Sequence, residues 1–265
     1  MAQPAYLRVV EAIRAAIEAG EDERYRPNSA LPSSTEIATE HGVSQETALK
    51  ALRALARDGW ITMVPRGKSY VRARPRERIV VRDRAVYRDE IGYFFDLNAQ
   101  DWRPVGKPER TLAVPPDHIA DLLGVPRGED VVVRHRAMGP PESDQPLQLA
   151  SSYIPMALAT EIPALRAEDT GPGGIYDRIE ETFGQAIDWH EVVSARLPDR
   201  FEQDRLALPP TVPVIIVTRE SRVQRDGSEF VAEVNETRMS AEQFALSYRV
   251  PRDASAAWPR GGNPS

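Results

Sequence analysis

Apolar positions in the first eighty residues recur at helical spacing and then switch to strand spacing. Val10, Ile13 and Ile17 fall on one stripe of a helix predicted over Tyr6–Ala19, which Gly20 can end. A charged stretch follows to Arg26, and Pro27-Asn28 reads as a turn. Ser33 and Glu36 stand three apart, the spacing at which hydroxyl and carboxylate each satisfy a backbone N–H beside the other, so a second helix starts there. His41-Gly42 closes it early. Ser44 is placed to cap a third helix whose Ala48, Ala51, Leu52 and Leu55 face inward while Glu46, Lys50, Arg53 and Arg57 face out. Gly59 ends that helix, and Trp60–Val64 with Ser69–Val71 predict two strands around Pro65-Arg66-Gly67-Lys68.

A short helix, a glycine turn and a longer helix with a basic outer face make a helix-turn-helix, and the two strands with a basic tip make a wing. The third helix has the length to lie in a major groove and present its N-terminal side chains to base edges. A plain three-helix bundle would show the same stripes; the strand pair tilts the balance toward the winged form.

Past Tyr93 the spacing becomes mixed. Val131, Val133 and His135 alternate with Val132, Arg134 and Arg136, and a Pro-rich loop leads to Leu147–Tyr153, giving two strands. Ile175–Phe183 predicts a short amphipathic helix, and Phe201–Leu208 another, ended by Pro209-Pro210. Strands at Val192–Leu197, Val214–Val223 and Phe230–Met239, with Asp226-Gly227 as a tight hairpin, complete an antiparallel set. The expected fold class is α+β, with the second domain a sheet carrying helices on one side. The expected organisation is 1–73 winged helix, 74–90 linker, 91–250 second domain and 251–265 a disordered polar tail.

Charge sharpens this division. Residues 1–84 carry 15 Lys and Arg against 11 Asp and Glu, a net +4, and the remainder carries 19 against 29, a net −10. Between Lys50 and Arg84 stand 11 basic residues and only Asp58, Glu77 and Asp83 as acids, a density that attracts a phosphate backbone and also suits a solvated face. Arg72–Arg84 has the composition of an exposed connector. There is no cysteine, and the four histidines show no ligand spacing, so neither a disulfide framework nor a metal centre is expected, and no cofactor. No run of about 18 apolar residues and no basic-then-apolar opening appears, so a soluble, cytoplasmic protein is expected.

Residues Met1 to about Ala73 resemble the DNA-binding domain of the GntR superfamily. The likeness rests on Leu31-Pro32-Ser33, Ile37-Ala38, Gly42-Val43-Ser44, Thr47, Ala51-Leu52, Leu55, Asp58-Gly59-Trp60-Ile61 and Ser69-Tyr70-Val71. By that resemblance the DNA-facing residues are Thr35, Ser44, Gln45, Thr47 and Lys50, with Arg66, Gly67 and Lys68 at the wing. Three arginines common in the family are replaced by Thr35, Gln45 and Leu49. Glutamine can bond adenine in two places and Leu49 can meet a thymine methyl, which shifts the expected readout toward A·T pairs, unless Leu49 is simply core.

From about Tyr93 to Tyr248 the order of elements is similar to the UTRA effector-binding domain of the HutC subfamily. The matching pieces include Val132-Val133-Arg134-His135-Arg136, Ser152-Tyr153-Ile154-Pro155, Gly173-Gly174-Ile175-Tyr176 and Asp226-Gly227. That resemblance implies a chorismate-lyase-like fold used for binding. Strand alternation puts Arg134 and Arg136 on one face, where two guanidiniums suit a bidentate anion; the alternative is a surface ion pair. Ser152, Tyr153, Tyr93, Phe94 and Arg238 are further effector-pocket candidates. Ala150 and Gly174 stand where relatives carry a Glu and a Ser, which argues against an amino-sugar phosphate.

The expected function is a repressor, a homodimer on double-stranded operator DNA, released by a small-molecule effector that is anionic if the arginines line its pocket. Two rivals stay open. One is an enzyme, against which no nucleophile, base and orienting group can be picked out. The other is a structural or partition protein that binds DNA without an effector.

Overall fold

The computed structural model describes residues 4–27, 29–63, 68–72, 80–83, 85–88, 94–95, 101–141 and 143–256. Helices α1 (Ala5–Ala19), α2 (Ser34–His41) and α3 (Gln45–Arg57) precede a hairpin of β1 (Ile61–Met63) and β2 (Ser69–Val71). Both halves of the capping box form: Glu36 N donates to Ser33 Oγ at 3.3 Å and Ser33 N to Glu36 Oε2 at 2.7 Å. Gly42 ends α2 in the left-handed conformation, φ 61°, and lets the chain turn at once into Ser44, the N-cap of α3. Val9, Ile13, Ile37, Leu55, Ile61 and Val71 meet in one buried core, so the three helices and the wing form a single packed unit.

The rest of the chain is built on short strands β3 (Val80–Arg82), β4 (Tyr87–Arg88), β5 (Phe94–Phe95), β6 (Arg103–Pro104) and β7 (Glu109–Ala113). They are followed by α4 (Asp117–Leu123), β8 (Val131–Gly139), β9 (Gln148–Ile154), α5 (Met156–Glu161), a 3₁₀ turn Pro163–Arg166 and α6 (Gly174–Phe183). Then come β10 (Asp188–Arg196), α7 (Arg200–Leu206), β11 (Val214–Arg225), β12 (Ser228–Ser240) and β13 (Phe244–Leu246). A seven-stranded antiparallel sheet runs β10-β11-β12-β9-β8-β6, with β7 also on β8. The β11–β12 turn has Asp226 and Gly227 both at positive φ, 51° and 78°, the geometry a two-residue hairpin needs.

Helices cover both faces of this sheet, which corrects the expectation of helices on one side. On one face α4 packs Ile119 and Leu123 onto Val131, Val133, Tyr153 and Val234, and Leu206 of α7 packs with Leu149 and Ile216. On the other, α5 and α6 pack Leu158, Ile175 and Ile179 onto Val132, Ile154 and Ala232. Val131-Val132-Val133 is an unbroken apolar run because successive side chains enter different cores, the mark of a strand buried twice.

The connector is also not wholly exposed. Val80–Arg82 pairs in parallel with Phe244–Leu246, and Arg82, 5% exposed, lies within 3.2 Å of Glu191. A buried guanidinium needs such a carboxylate, and that carboxylate sits outside the basic stretch on which the exposed reading was based. Of the expected tail, Ala254–Ala256 forms a 3₁₀ turn and 257–265 lie outside the described residues. The two units touch. Thr211 Oγ1, beyond α7, donates to the carbonyl of Arg57 at 2.7 Å, and Arg72 pairs with Glu242 at 3.1 Å.

Candidate functional site

The first candidate surface is the N-terminal end of α3. Ser44 Oγ accepts from Thr47 N at 3.2 Å and lies 2.9 Å from Thr47 Oγ1, so cap and first turn are one hydrogen-bonded unit. Gln45 is exposed, and its amide donates to Thr35 Oγ1 at 3.1 Å and Ser34 Oγ at 3.4 Å on α2. Thr35, Ser44, Gln45 and Thr47 are thus brought together at one end of the helix pair. Lys50 is drawn aside: its ammonium sits 4.4 Å from the centre of the Tyr6 ring on α1. Leu49 is half-buried and shares a cleft of 540 Å³ with Leu31, Leu52, Met63 and Lys68. Arg66, Gly67 and Tyr93 lie outside the described residues, and of Phe94 only its strand is described.

The second candidate lies on the α6 side of the sheet, where register aligns Arg134, Ser152 and Asn235 across three strands. Arg136 Nη2 and Asn235 Nδ2 both donate to Ser152 Oγ at 3.0 Å, and Thr237 Oγ1 donates to Asn235 Oδ1 at 2.7 Å. Deeper on this face Ser221 Oγ donates to Glu233 Oε2 at 2.7 Å and accepts from Trp189 Nε1 at 3.2 Å. Glu233 is fully buried and its other oxygen has no hydrogen-bond partner among the described residues. Burial pushes its carboxyl above the usual carboxylate range, against the pull of Ser221, Ser152, Arg136 and Arg219. Burial pushes the neighbouring Tyr176 phenol up to about 12.

Arg134 and Arg136, read as a pair, have different surroundings. The Arg134 guanidinium donates to the carbonyls of Leu165, Ala167 and Glu168 at 3.3, 2.7 and 3.0 Å, tying down the 165–168 turn. Arg136 keeps a buried Nε without a partner. Tyr153 and Arg238 point to the opposite, α4 face, because they alternate with Ser152 and Thr237 along their strands. The candidate effector residues therefore divide between two faces.

With both surfaces in view, the sequence itself divides in the same place. Residues 5–71 match the description "Bacterial regulatory proteins, gntR family", and residues 109–245, more than half the chain, match "UTRA domain". The chain belongs to the gntR family of bacterial regulatory proteins. An uncharacterized HTH-type transcriptional regulator of Streptomyces coelicolor is 30% identical over 249 residues, 87% of this chain and 88% of that one. The HTH-type transcriptional regulator GgaR of Escherichia coli K12 is 24% identical over 229 residues, 81% of this chain and 79% of its own. A crystal structure assigned to a GntR-family transcriptional regulator superposes with a TM-score of 0.59 at 26% identity, covering 95% of this chain and 99% of that one. This gntR-family chain is a DNA-binding transcription regulator of α+β fold, and its family and relatives are regulators.

Sequence reading passed over Glu233, Asn235 and Thr237. Glu233, Asn235 and Thr237 stand at every second position and so share one face, but Glu236 and Arg238 on the other face blur that signal. Ser221 and Trp189 carry no such signal, since they join the cluster only through sheet register.

Proposed function

We infer that this regulator belongs to the HutC branch and acts as a homodimeric repressor, each protomer placing α3 in one half-site of an inverted operator repeat about one helical turn apart. A small anion held by Arg136 and Ser152 on the α6 face of the UTRA domain releases it. Residues 1–73 read DNA, 74–90 link, and 91–250 sense the effector. No cofactor or catalytic step is involved, and the protein works in the cytoplasm. The presence in one chain of an exposed, capped recognition helix and of a second domain that buries Ser152, Asn235 and Glu233 beside a half-buried Arg136 supports this reading. A domain that served only to hold DNA would gain nothing from an unsatisfied carboxyl oxygen at its centre.

The test is footprinting on the DNA upstream of the regulator's own gene, followed by a screen of small anions for release of the protected fragment. Protection of two half-sites, lost with one class of anion in the native protein and retained in Arg136→Gln, is the expected result. Absence of a protected sequence overturns the operator reading. Operator affinity unchanged across the whole screen leaves the partition-protein alternative standing and overturns the effector reading.

A further inference from the structure

The α4 face of the sheet carries a second polar cluster, on the opposite side from Arg136 and Ser152. Register places His135, Ser151 and Glu236 in one row on this face, and Arg238 alternates with Thr237 onto it. Arg238 Nη2 donates to Ser151 Oγ at 2.7 Å, and Ser151 Oγ lies 2.9 Å from His135 Nδ1. With one proton and two lone pairs, Ser151 Oγ can accept from Arg238 and still either donate to His135 Nδ1 or accept from it. Burial, then the Arg238 charge, holds His135 below its ordinary value, and Glu109 pulls weakly the other way.

The arginine's charge is only partly matched. Glu202, fully buried at the start of α7, already accepts from Arg196 at 2.6 and 2.7 Å and from Asp199 N at 2.9 Å, while Arg238 stands 3.8 Å from it. Two guanidiniums share one carboxylate, and Arg238 Nε is buried without a hydrogen-bond partner.

These groups line a cavity of 830 Å³. Arg136 and Arg205 add positive charge to its wall, as does Lys107, which pairs with Glu168; Glu109 is its one carboxylate, and Leu149 and Phe201 give an apolar side. Phe201 is 58% exposed, an aromatic ring left against solvent beside a cationic floor.

We propose that this cavity is a second ligand site, for an organic anion with an apolar or aromatic body, its charge on Arg238 and Arg205 and its body on Phe201 and Leu149. A cleft of this size with an apolar wall and a few converging polar groups is the usual form of a small-molecule site. The cavity reaches Arg136 of the proposed effector pocket, while Arg238, Arg205 and Phe201 stand on the opposite, α4 side of the sheet from Ser152. It also adjoins the recognition helix: five residues beyond the end of α7, Thr211 bonds the carbonyl of Arg57 at the end of α3. An occupant pressed against α7 is therefore felt where the sheet domain touches the DNA-reading unit.

Titration of the full chain with the aromatic sulfonate 8-anilinonaphthalene-1-sulfonate tests the proposal. Saturable binding of one probe per chain is expected, weakened about tenfold or more by Arg205→Gln and by Phe201→Ala. Both residues are exposed, so both variants keep the fold, which circular dichroism checks. Arg134→Gln, on the far face, should leave probe affinity unchanged, and bound probe should raise the pH at which the His135 ring titrates in NMR. Binding that does not saturate, that is as tight in Phe201→Ala and Arg205→Gln as in the native protein, or that is lost in Arg134→Gln overturns the site. Occupancy is read here by the probe and release by the operator screen, so a cavity that binds no probe leaves the Arg136 reading standing, and an operator that no anion releases leaves this site standing.

Discussion

At Glu233 a carboxyl group sits in the centre of a sheet covered on both faces, one oxygen bonded to Ser221 and the other to nothing. Ionisation there has no water to help it, so its folded titration lies above that of an unfolded glutamate. The stability this proton supplies is complete below the unfolded value of about 4.3 and is lost as pH rises through the raised folded value. Native protein should therefore lose stability to urea as pH rises above the unfolded value, and Glu233→Gln should flatten that decline; equal slopes in the two proteins would show the carboxyl already ionised. At the proposed DNA surface Gln45 is the residue to change. Its amide is oriented by Thr35 and exposed, so Gln45→Ala should cost about tenfold or more in operator affinity, measured by fluorescence anisotropy, while melting temperature stays the same. Lys50→Ala should cost less than this, because the lysine is spent on Tyr6.

Elements whose instructions are local were legible in the sequence. The capping box at Ser33, the N-cap at Ser44, the left-handed glycine at Gly42 and the Asp226-Gly227 hairpin all stand where spacing alone put them. Ser33→Ala should consequently destabilise the winged unit by about 1 kcal/mol in urea unfolding, with no change in the sheet domain's signal. What the sequence hid depends on partners distant along the chain. Helix α4 is only seven residues long and α5 only six, too short for a periodic stripe, and their place on opposite faces is decided by Val131 against Val132. The division of Arg136 from Arg238 was hidden for the same reason, since neither residue shows which face of its strand meets which helix. The 165–168 turn gives a measure of such distant dependence. It is held by Arg134 from a strand some thirty residues earlier, and Arg134→Gln should free it to faster amide hydrogen exchange while the α6 core keeps its protection.

On the scale of the whole molecule, charge and contact run in different directions. The basic N-terminal third and the acidic remainder are opposite in sign, so operator affinity should fall steeply with salt, while the two units meet through the neutral Thr211–Arg57 carbonyl bond and the Arg72–Glu242 pair. Thr211→Val removes one of these contacts without unfolding either unit. It should leave DNA affinity in the absence of effector within about threefold of native and reduce the effector's leverage on it, as anisotropy with and without effector would show. The parallel pairing of Val80–Arg82 with Phe244–Leu246 carries one more consequence. It ties the chain back to the sheet domain at Val80–Arg82, so the length of chain between each reading head and its sheet domain ends at Val80. Arg72 and Val80 are eight residues apart and cannot part by more than roughly 28 Å. In the proposed dimer that length of chain, and not the protein's appetite for DNA, sets the widest operator both heads can grip at once, and adding residues between Arg72 and Val80 should let the protein bridge half-sites that the native chain leaves half bound.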